Sequence, residues 1–315
     1  MFLQQAIKSE NQFWKYIVGS LIVIMASFIG QMPFLFAFIY KLISDGKKMD
    51  AINFDEKSLM ATLDKNTTLF LLLFSFAVAL VALYFVIKYL HQQNFKSMVT
   101  ARKKIDWSRV SFAFGLWAIV TAGITAIDYY QNPQDYVLNF QLEPFLILLA
   151  IGIVMIPIQT SVEEFIFRGY LMQGFANLSY NKWFPLVMTS FIFGVMHIAN
   201  PEVQKLGYIT MVYYIGTGLF LGILTLMDDG MELSLGFHAA NNLVGALLVT
   251  ADWSAFQTHS VLKDISEPSA GFDIVLPVII VFPILLLIFS KYYGWTNWKE
   301  KLTGNLSKNQ VNNKF

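Results

Sequence analysis

Long apolar runs separated by short charged segments constrain the fold of this chain most strongly. The clearest examples are LFLLLFSFAVALVALYFVI at 69–87 and IVLPVIIVFPILLLIFS at 274–290. A helix of about 20 apolar residues crosses the hydrocarbon core of a bilayer. The pattern therefore predicts an all-α, polytopic transmembrane helical bundle of about eight spans. The expected spans are 16–40, 68–90, 110–127, 144–162, 183–199, 207–227, 234–250 and 272–290.

The composition fits a protein surrounded by lipid. Of the 315 residues, 56% are hydrophobic and only 14% are charged, whereas soluble domains carry about 25% charged residues. The net charge of +1 gives no indication of a nucleic-acid partner. The sequence contains no cysteine, which excludes disulfides, thiolate metal sites and a cysteine nucleophile.

The distribution of basic residues predicts the orientation in the membrane. The segment 88–109 carries six Lys or Arg residues, and the segment 128–143 carries none. Cytoplasmic loops are enriched in Lys and Arg. With eight spans, we therefore expect a protein of the plasma (cell) membrane with both termini and the segment 88–109 on the cytoplasmic side. The five lysines of the 41–67 loop run against this orientation. We expect the polar tail after Trp298 to be loose.

The first group of polar residues at membrane depth is Ser161-Val-Glu163-Glu164-Phe-Ile-Phe-Arg168. An ionisable group there costs at least ~2.5 kcal/mol and marks a candidate functional site. On a helix, Glu164 and Arg168 are four residues apart and neutralise each other. This leaves Glu163 as the carboxylate that is free to act. The alternative is a salt-bridge cluster at a helix end.

Two further groups each contain a histidine. His197 follows the apolar run WFPLVMTSFIFGVM, and Asn200-Pro201 then ends that helix. His238 and Asn242 are four residues apart and project together from a helix. The alternatives are a satisfied core histidine for His197 and a helix-contact patch for the other pair. The remaining histidines, His91 and His259, are expected in polar, solvated segments.

The three groups together indicate hydrolytic chemistry. A carboxylate and two imidazoles, those of Glu163, His197 and His238, form a set that can activate water with or without a metal. The amide of Asn242 is a neutral donor suited to a developing oxyanion. The sequence offers no competing serine or cysteine nucleophile.

The ordered motifs resemble those of a known family. Glu163-Glu164-x-x-x-Arg168, Phe193-x-x-x-His197 and His238-x-x-x-Asn242 are similar to the three signature motifs of the CPBP family of intramembrane proteases. This family includes CAAX-type prenyl endopeptidases and bacteriocin-processing or immunity proteins, and is also called the abortive-infection family. The motifs lie within residues 144–250, about a third of the chain.

The resemblance implies a catalytic core at 141–250, preceded by N-terminal transmembrane helices at 1–140 and followed by a final span and polar tail at 251–315. It implies that Glu163 activates water with His197, that Glu164 and Arg168 hold the site, and that His238 and Asn242 bind the oxyanion or order the water. The implied substrate is a membrane-embedded or membrane-proximal peptide, either prenylated or a leader peptide.

Two questions stay open in the sequence. Glu163, His197 and His238 match a His₂Glu zinc site, and the family is commonly described as metalloproteases, but the residues also support metal-free catalysis, which we favour. No other cofactor is indicated. Intramembrane Glu and His also serve transporters and proton relays, and a noncatalytic immunity or scaffold protein could retain the motifs. The substrate, the cleavage site and the oligomeric state are not determined by the sequence.

Overall fold

The computed structural model describes residues 1–7, 12–46, 56–269 and 271–307, and most of these residues are helical. The α-helices are α1 (Phe13–Ser44), α2 (Glu56–Thr62), α3 (Lys65–Phe85), α4 (Phe95–Val99), α5 (Trp107–Gln131), α6 (Leu142–Glu164), α7 (Met172–Ser179), α8 (Trp183–Met196), α9 (Pro201–Leu206), α10 (Thr210–Met227), α11 (Glu232–Leu248), α12 (Phe282–Tyr293) and α13 (Trp298–Thr303). Segments of π-helix extend α3 over Val86–Leu90, join α6 to α7 over Phe165–Leu171 and precede α12 over Pro277–Val281.

Both ends of the described chain lie at one end of the bundle. The Phe2 amide donates to Asp229 Oδ1 at 3.0 Å, and the Leu306 amide donates to the carbonyl of Tyr180 at 2.8 Å. We call this the termini end; it comprises residues 1–7, 91–106, 180–182, 228–231 and 294–307. The opposite end, called the sheet end, holds the three β-strands. That both termini lie in the cytoplasm stays a prediction.

The number of helices that can span a membrane is smaller than expected. All eight apolar segments coincide with helical passes between the two ends. Within the described residues, however, only five helical segments are long and apolar enough to cross a bilayer: Phe13–Ser44, Lys65–Leu90, Trp107–Gln131, Leu142–Ser179 and Thr210–Met227. The remaining three passes are shorter than the roughly 20 residues that a span needs. α8 has 14 residues, α11 has 17 residues and carries polar side chains, and Pro277–Tyr293 is also a shorter apolar helix.

A small sheet accompanies the predicted helical bundle. The strands β1 (Tyr136–Leu138), β2 (Val249–Ala251) and β3 (Leu262–Asp264) pair in the order β1-β3-β2. β1 is antiparallel to β3, and β2 is parallel to β3. Strands of three residues are too short to show an alternating pattern in the sequence. The sheet follows directly on α11 and ties its end to the connection before α6.

The packing of α5 against α11 fixes the helix that carries the third motif. A Cβ atom on Gly236 would lie 2.1 Å from the carbonyl oxygen of Val110, so only glycine permits this approach. Phe237 then stacks against Trp117 with ring centroids 4.5 Å apart. Both side chains belong to a buried cluster that α10 and α12 complete. Gly236, two residues before His238, therefore allows α5 and α11 to approach closely.

Ion pairs close the termini end. Arg102 donates to Asp228 at 2.8 Å and to Glu232 at 2.9 Å. Arg109 forms a second ion pair with Asp228 at 2.5 Å. Asp228 and Glu232 are buried, so each carboxylate needs these partners. The cluster holds the connection between α4 and α5 against the start of α11.

Two minor predictions are corrected by the packing. Residues 298–307 are not loose, because Lys301 forms an ion pair with Asp229 and Leu306 is buried; residues 308–315 lie outside the described residues. His91 is also buried rather than solvated, and its Nε2 lies 2.9 Å from the hydroxyl of Tyr170. Its position at the end of a span, against the rings of Tyr16 and Tyr170, explains the burial.

Candidate active site

Glu163 lies near the middle of the 38-residue helical segment Leu142–Ser179, not at the end of a span. The span expected from the sequence, 144–162, places Glu163 just beyond its end. The π-helical segment Phe165–Leu171 continues the helix into α7, so Glu163 sits within the bundle. Its side chain is 15% exposed. The first motif therefore lies at the depth where helices α8 and α11 can approach it.

Glu164 and Arg168 form a buried ion pair. Arg168 Nη1 donates to Glu164 Oε1 at 2.9 Å, and neither side chain is more than 1% exposed. Arg168 Nη2 donates to the carbonyl of Gly218 on α10 at 3.1 Å. The guanidinium also lies over the ring of Phe193, 4.4 Å from its centroid. The predicted pair is therefore present, and it connects the first motif to α8 and α10.

His238 lies between the two glutamates. Its Nδ1 is 2.8 Å from Glu164 Oε1, and its Nε2 is 3.6 Å from Glu163 Oε2. Glu164, paired with Arg168, accepts the hydrogen bond as a carboxylate, so Nδ1 carries the proton. In a neutral ring this leaves Nε2 unprotonated and facing Glu163. The sequence analysis assigned Glu164 to Arg168 alone and missed that the same oxygen also orients His238.

Gln159 joins Glu163 to Asn242. Its Nε2 donates to Glu163 Oε1, and its Oε1 accepts from Asn242 Nδ2 at 3.1 Å. The sequence analysis did not assign a role to Gln159. The available signal was its position four residues before Glu163, on the same helical face. Asn242 was expected to donate to an oxyanion, and one of its two N–H groups is engaged by Gln159.

His197 is the predicted residue that the described contacts connect least to Glu163. It caps α8, and its Nδ1 lies 2.7 Å from the carbonyl of Phe193. Its ring stacks on Tyr214 with centroids 4.4 Å apart. Phe193 lies between the two histidines, with its ring centroid 4.7 Å from that of His197 and 6.1 Å from that of His238. Among the described residues, the imidazole nearest to Glu163 is thus that of His238 rather than that of His197.

The side chains as arranged do not fit the His₂Glu metal site. Within the described residues, no group of three or more His, Asp or Glu side chains is placed to hold a metal ion. His238 turns both ring nitrogens towards carboxylates. His197 uses Nδ1 for a main-chain carbonyl and has no hydrogen bond to either glutamate. The mechanism proposed for these residues therefore uses the protein side chains alone.

Comparisons with known proteins agree with the motifs. Residues 141–244 match the family model described as type II CAAX prenyl endopeptidase Rce1-like. The chain is 29% identical over 251 residues to the uncharacterized protein YyaK of Bacillus subtilis (strain 168), covering 79% of this chain and 82% of that protein. No solved structure matches the chain significantly. The family resemblance found in the three motifs is confirmed, and the matched region contains all six predicted site residues.

Proposed function

We propose that the Rce1-like domain at residues 141–244 hydrolyses peptide bonds of membrane-associated peptides with a water molecule activated by Glu163 and His238. The match of these residues to the Rce1-like family model supports a CAAX-type intramembrane protease. The observation that carries the mechanism is the approach of His238 Nε2 to Glu163 Oε2 at 3.6 Å. The candidate substrates are prenylated C-terminal peptides and leader peptides.

The distance between these two groups suits a shared water. A separation of 3.6 Å is too long for a direct hydrogen bond, and a water lying to one side can bond to both groups. The Glu163 carboxylate takes the proton of the water as the oxygen attacks the peptide carbonyl carbon. The proton is then passed to the leaving amine, which leaves Glu163 ionised again.

The neighbouring residues hold this geometry. Glu164 fixes the tautomer and the ring orientation of His238. Arg168 compensates the buried charge of Glu164. The second N–H of Asn242 is the candidate donor to the tetrahedral oxyanion. This role rests on the third motif and on the link from Asn242 to Glu163 through Gln159.

The test is turnover by purified protein reconstituted in lipid. The panel contains prenylated C-terminal peptides, their unprenylated forms and membrane-proximal leader peptides. We expect cleavage of at least one class, and a loss of at least ~100-fold in Glu163→Gln, the low end for loss of a general base. Glu143→Gln, an exposed carboxylate on the same helix, is the matched control and retains activity. Equal turnover by Glu163→Gln and wild type would refute the assignment.

The same preparation tests whether catalysis needs a metal ion. Metal content is measured in active protein, and activity is measured after chelation. We expect turnover to persist, because the described side chains carry the base and its partner without a metal. A stoichiometric metal whose removal abolishes activity and whose return restores it would overturn the metal-free mechanism.

A further inference from the structure

We propose that a one-way chain of hydrogen bonds running from Trp117 through Asn241, Asn242 and Gln159 positions the carboxylate of Glu163. We call these four residues the amide chain. The inference deepens the proposed function and rests on it for its catalytic consequence. It assigns positioning roles to Trp117, Asn241 and Gln159, which lie outside the motif residues.

The contacts form an unbroken series. Trp117 Nε1 donates to Asn241 Oδ1 at 3.1 Å. Asn241 Nδ2 donates to Asn242 Oδ1 at 3.1 Å, and Asn242 Nδ2 donates to Gln159 Oε1 at 3.1 Å. Gln159 Nε2 then donates to Glu163 Oε1. Each amide thus accepts on its oxygen and donates from its nitrogen.

The chemistry of the two end groups fixes this direction. An indole N–H can only donate, and an ionised carboxylate can only accept. The oxygen of Asn241 must therefore face Trp117, and the nitrogen of Gln159 must face Glu163. Reversing any one amide between them would place two donors or two acceptors against each other. All the amide dipoles consequently point their donor ends towards Glu163, and hydrogen bonds in such a series polarise one another.

The amide chain begins at Trp117, in a closely packed part of the bundle. The indole of Trp117 on α5 is 7% exposed and packs against Phe237 on α11. The approach of α5 to α11 at Gly236 prevents these helices from moving apart without loss of packing. The amide chain transmits that fixed position to α6. It holds Glu163 by Oε1, so that Oε2 is the oxygen presented to His238.

The catalytic test compares a nearly isosteric substitution of Gln159 and a smaller aromatic ring at Trp117 with control variants. Gln159→Met removes the donor to Glu163, and Trp117→Phe removes the first donor while keeping an aromatic ring. The control Gln173→Met removes a buried, hydrogen-bonded glutamine of α7 outside the site. The control Trp107→Phe changes an exposed tryptophan of α5. All variants are assayed at equal folded concentration.

We expect Gln159→Met to lower kcat by at least about tenfold, with KM unchanged, as for a lost hydrogen bond to a charged group. Trp117→Phe is expected to lower kcat by about twofold to tenfold, as for a neutral hydrogen bond. Both controls retain the wild-type kcat. Equal losses in Gln159→Met and Gln173→Met would show a merely structural effect and overturn the proposal.

An infrared measurement separates this inference from the proposed function. The carboxylate band of Glu163 is isolated in ¹³C-glutamate-labelled protein by subtracting the spectrum of Glu163→Gln in the same background. We expect Gln159→Met to move the band, and Trp117→Phe to move it less, whether or not any peptide is cleaved. A band unchanged by Gln159→Met refutes the amide chain. A shifted band with unchanged kcat refutes its role in positioning for catalysis, and absence of turnover in wild type refutes only the proposed function.

Discussion

His238 Nδ1 lies 2.8 Å from Glu164 Oε1, although the two residues are 74 positions apart in the chain. Glu164 is fully buried and also binds Arg168, so one carboxylate oxygen supports an ion pair and an imidazole. This contact selects which ring nitrogen of His238 faces Glu163. We therefore expect different roles for the two adjacent glutamates of the first motif: Glu163 is the proposed catalytic base, and Glu164 orients His238.

Glu164→Gln is expected to destabilise the protein more than Glu163→Gln. Arg168 is 1% exposed, and removing its counter-charge leaves a buried cation, which typically costs about 3–5 kcal/mol. Glu163 is partly exposed and makes no ion pair with an arginine or lysine among the described residues. Thermal unfolding of both variants in the same lipid or detergent checks this. A lower melting temperature for Glu163→Gln than for Glu164→Gln would show that the two roles are reversed.

Glu163 and His238 are expected to act as one unit. His238→Gln keeps a polar side chain and removes the imidazole that faces Glu163. If the two groups share one water, each single substitution removes the same activation, and the double variant loses little more than either single variant. The measurement is kcat/KM for the two single variants and the double variant. Losses that multiply would instead indicate that the two residues act independently.

Spacing along one helix predicts contacts within that helix, but not the contacts between helices at the candidate site. The Glu164–Arg168 pair follows from a four-residue spacing on one helix, and the structure shows it. The contact of His238 with both glutamates depends on how α11 packs on α6, and no local pattern encodes that. The expected partner of Glu163 was His197, whereas its nearest imidazole is that of His238. The roles of all these residues in catalysis stay predictions.

For the fold as well, local features could be predicted from the sequence, whereas features that depend on long-range contacts could not. Apolar runs located every helical pass, because a hydrophobic segment is a property of consecutive residues. Their lengths were less well predicted: α8 stops at Met196, where the sequence analysis extended its span to 199. The sheet was missed because β2 and β3 form only through pairing across the sheet end.

Asp229 is expected to hold the C-terminal helix α13 at the termini end. It binds Lys301 and the Phe2 amide. Burial raises the pKa of Asp229, but the hydrogen bonds from Lys301 and from the Phe2 amide lower it by more, so that the pKa lies below the usual range. Its contribution to stability is present above the unfolded pKa of about 3.9 and is lost as the pH falls through the lower folded pKa.

Asp229→Asn therefore lowers the melting temperature at pH 7, and the difference from wild type shrinks as the pH falls below about 4. Tryptic cleavage after Lys299 and Lys301 at pH 7 is expected to become several-fold faster. Asp252→Asn serves as the control, because it changes an exposed ion pair with Lys263 away from the termini end. Equal proteolysis of the Asp229 and Asp252 variants would argue against this role of Asp229.

The eight alternating passes predict which residues are accessible from each side of the membrane. The chain has no cysteine, so single cysteines can be introduced without a background. Cysteines at Lys103 and Lys299 are expected to react only from the cytoplasmic side, and one at Gln134 only from outside. Impermeant reagents on intact cells and on inverted vesicles give the measurement. Labelling of Lys103 and Gln134 from the same side would refute this topology.

The π-helical segment Phe165–Leu171 also affects how relatives of this chain are aligned. A π-helix closes its hydrogen bonds over five residues rather than four, so this stretch holds about one residue more than an α-helix of equal length. One residue corresponds to a rotation of about 100°. A relative with an uninterrupted α-helix here would keep Glu163 and Gln173 on the same faces with one residue fewer. A single-residue gap within this stretch is therefore compatible with a preserved active-site geometry and need not indicate divergence.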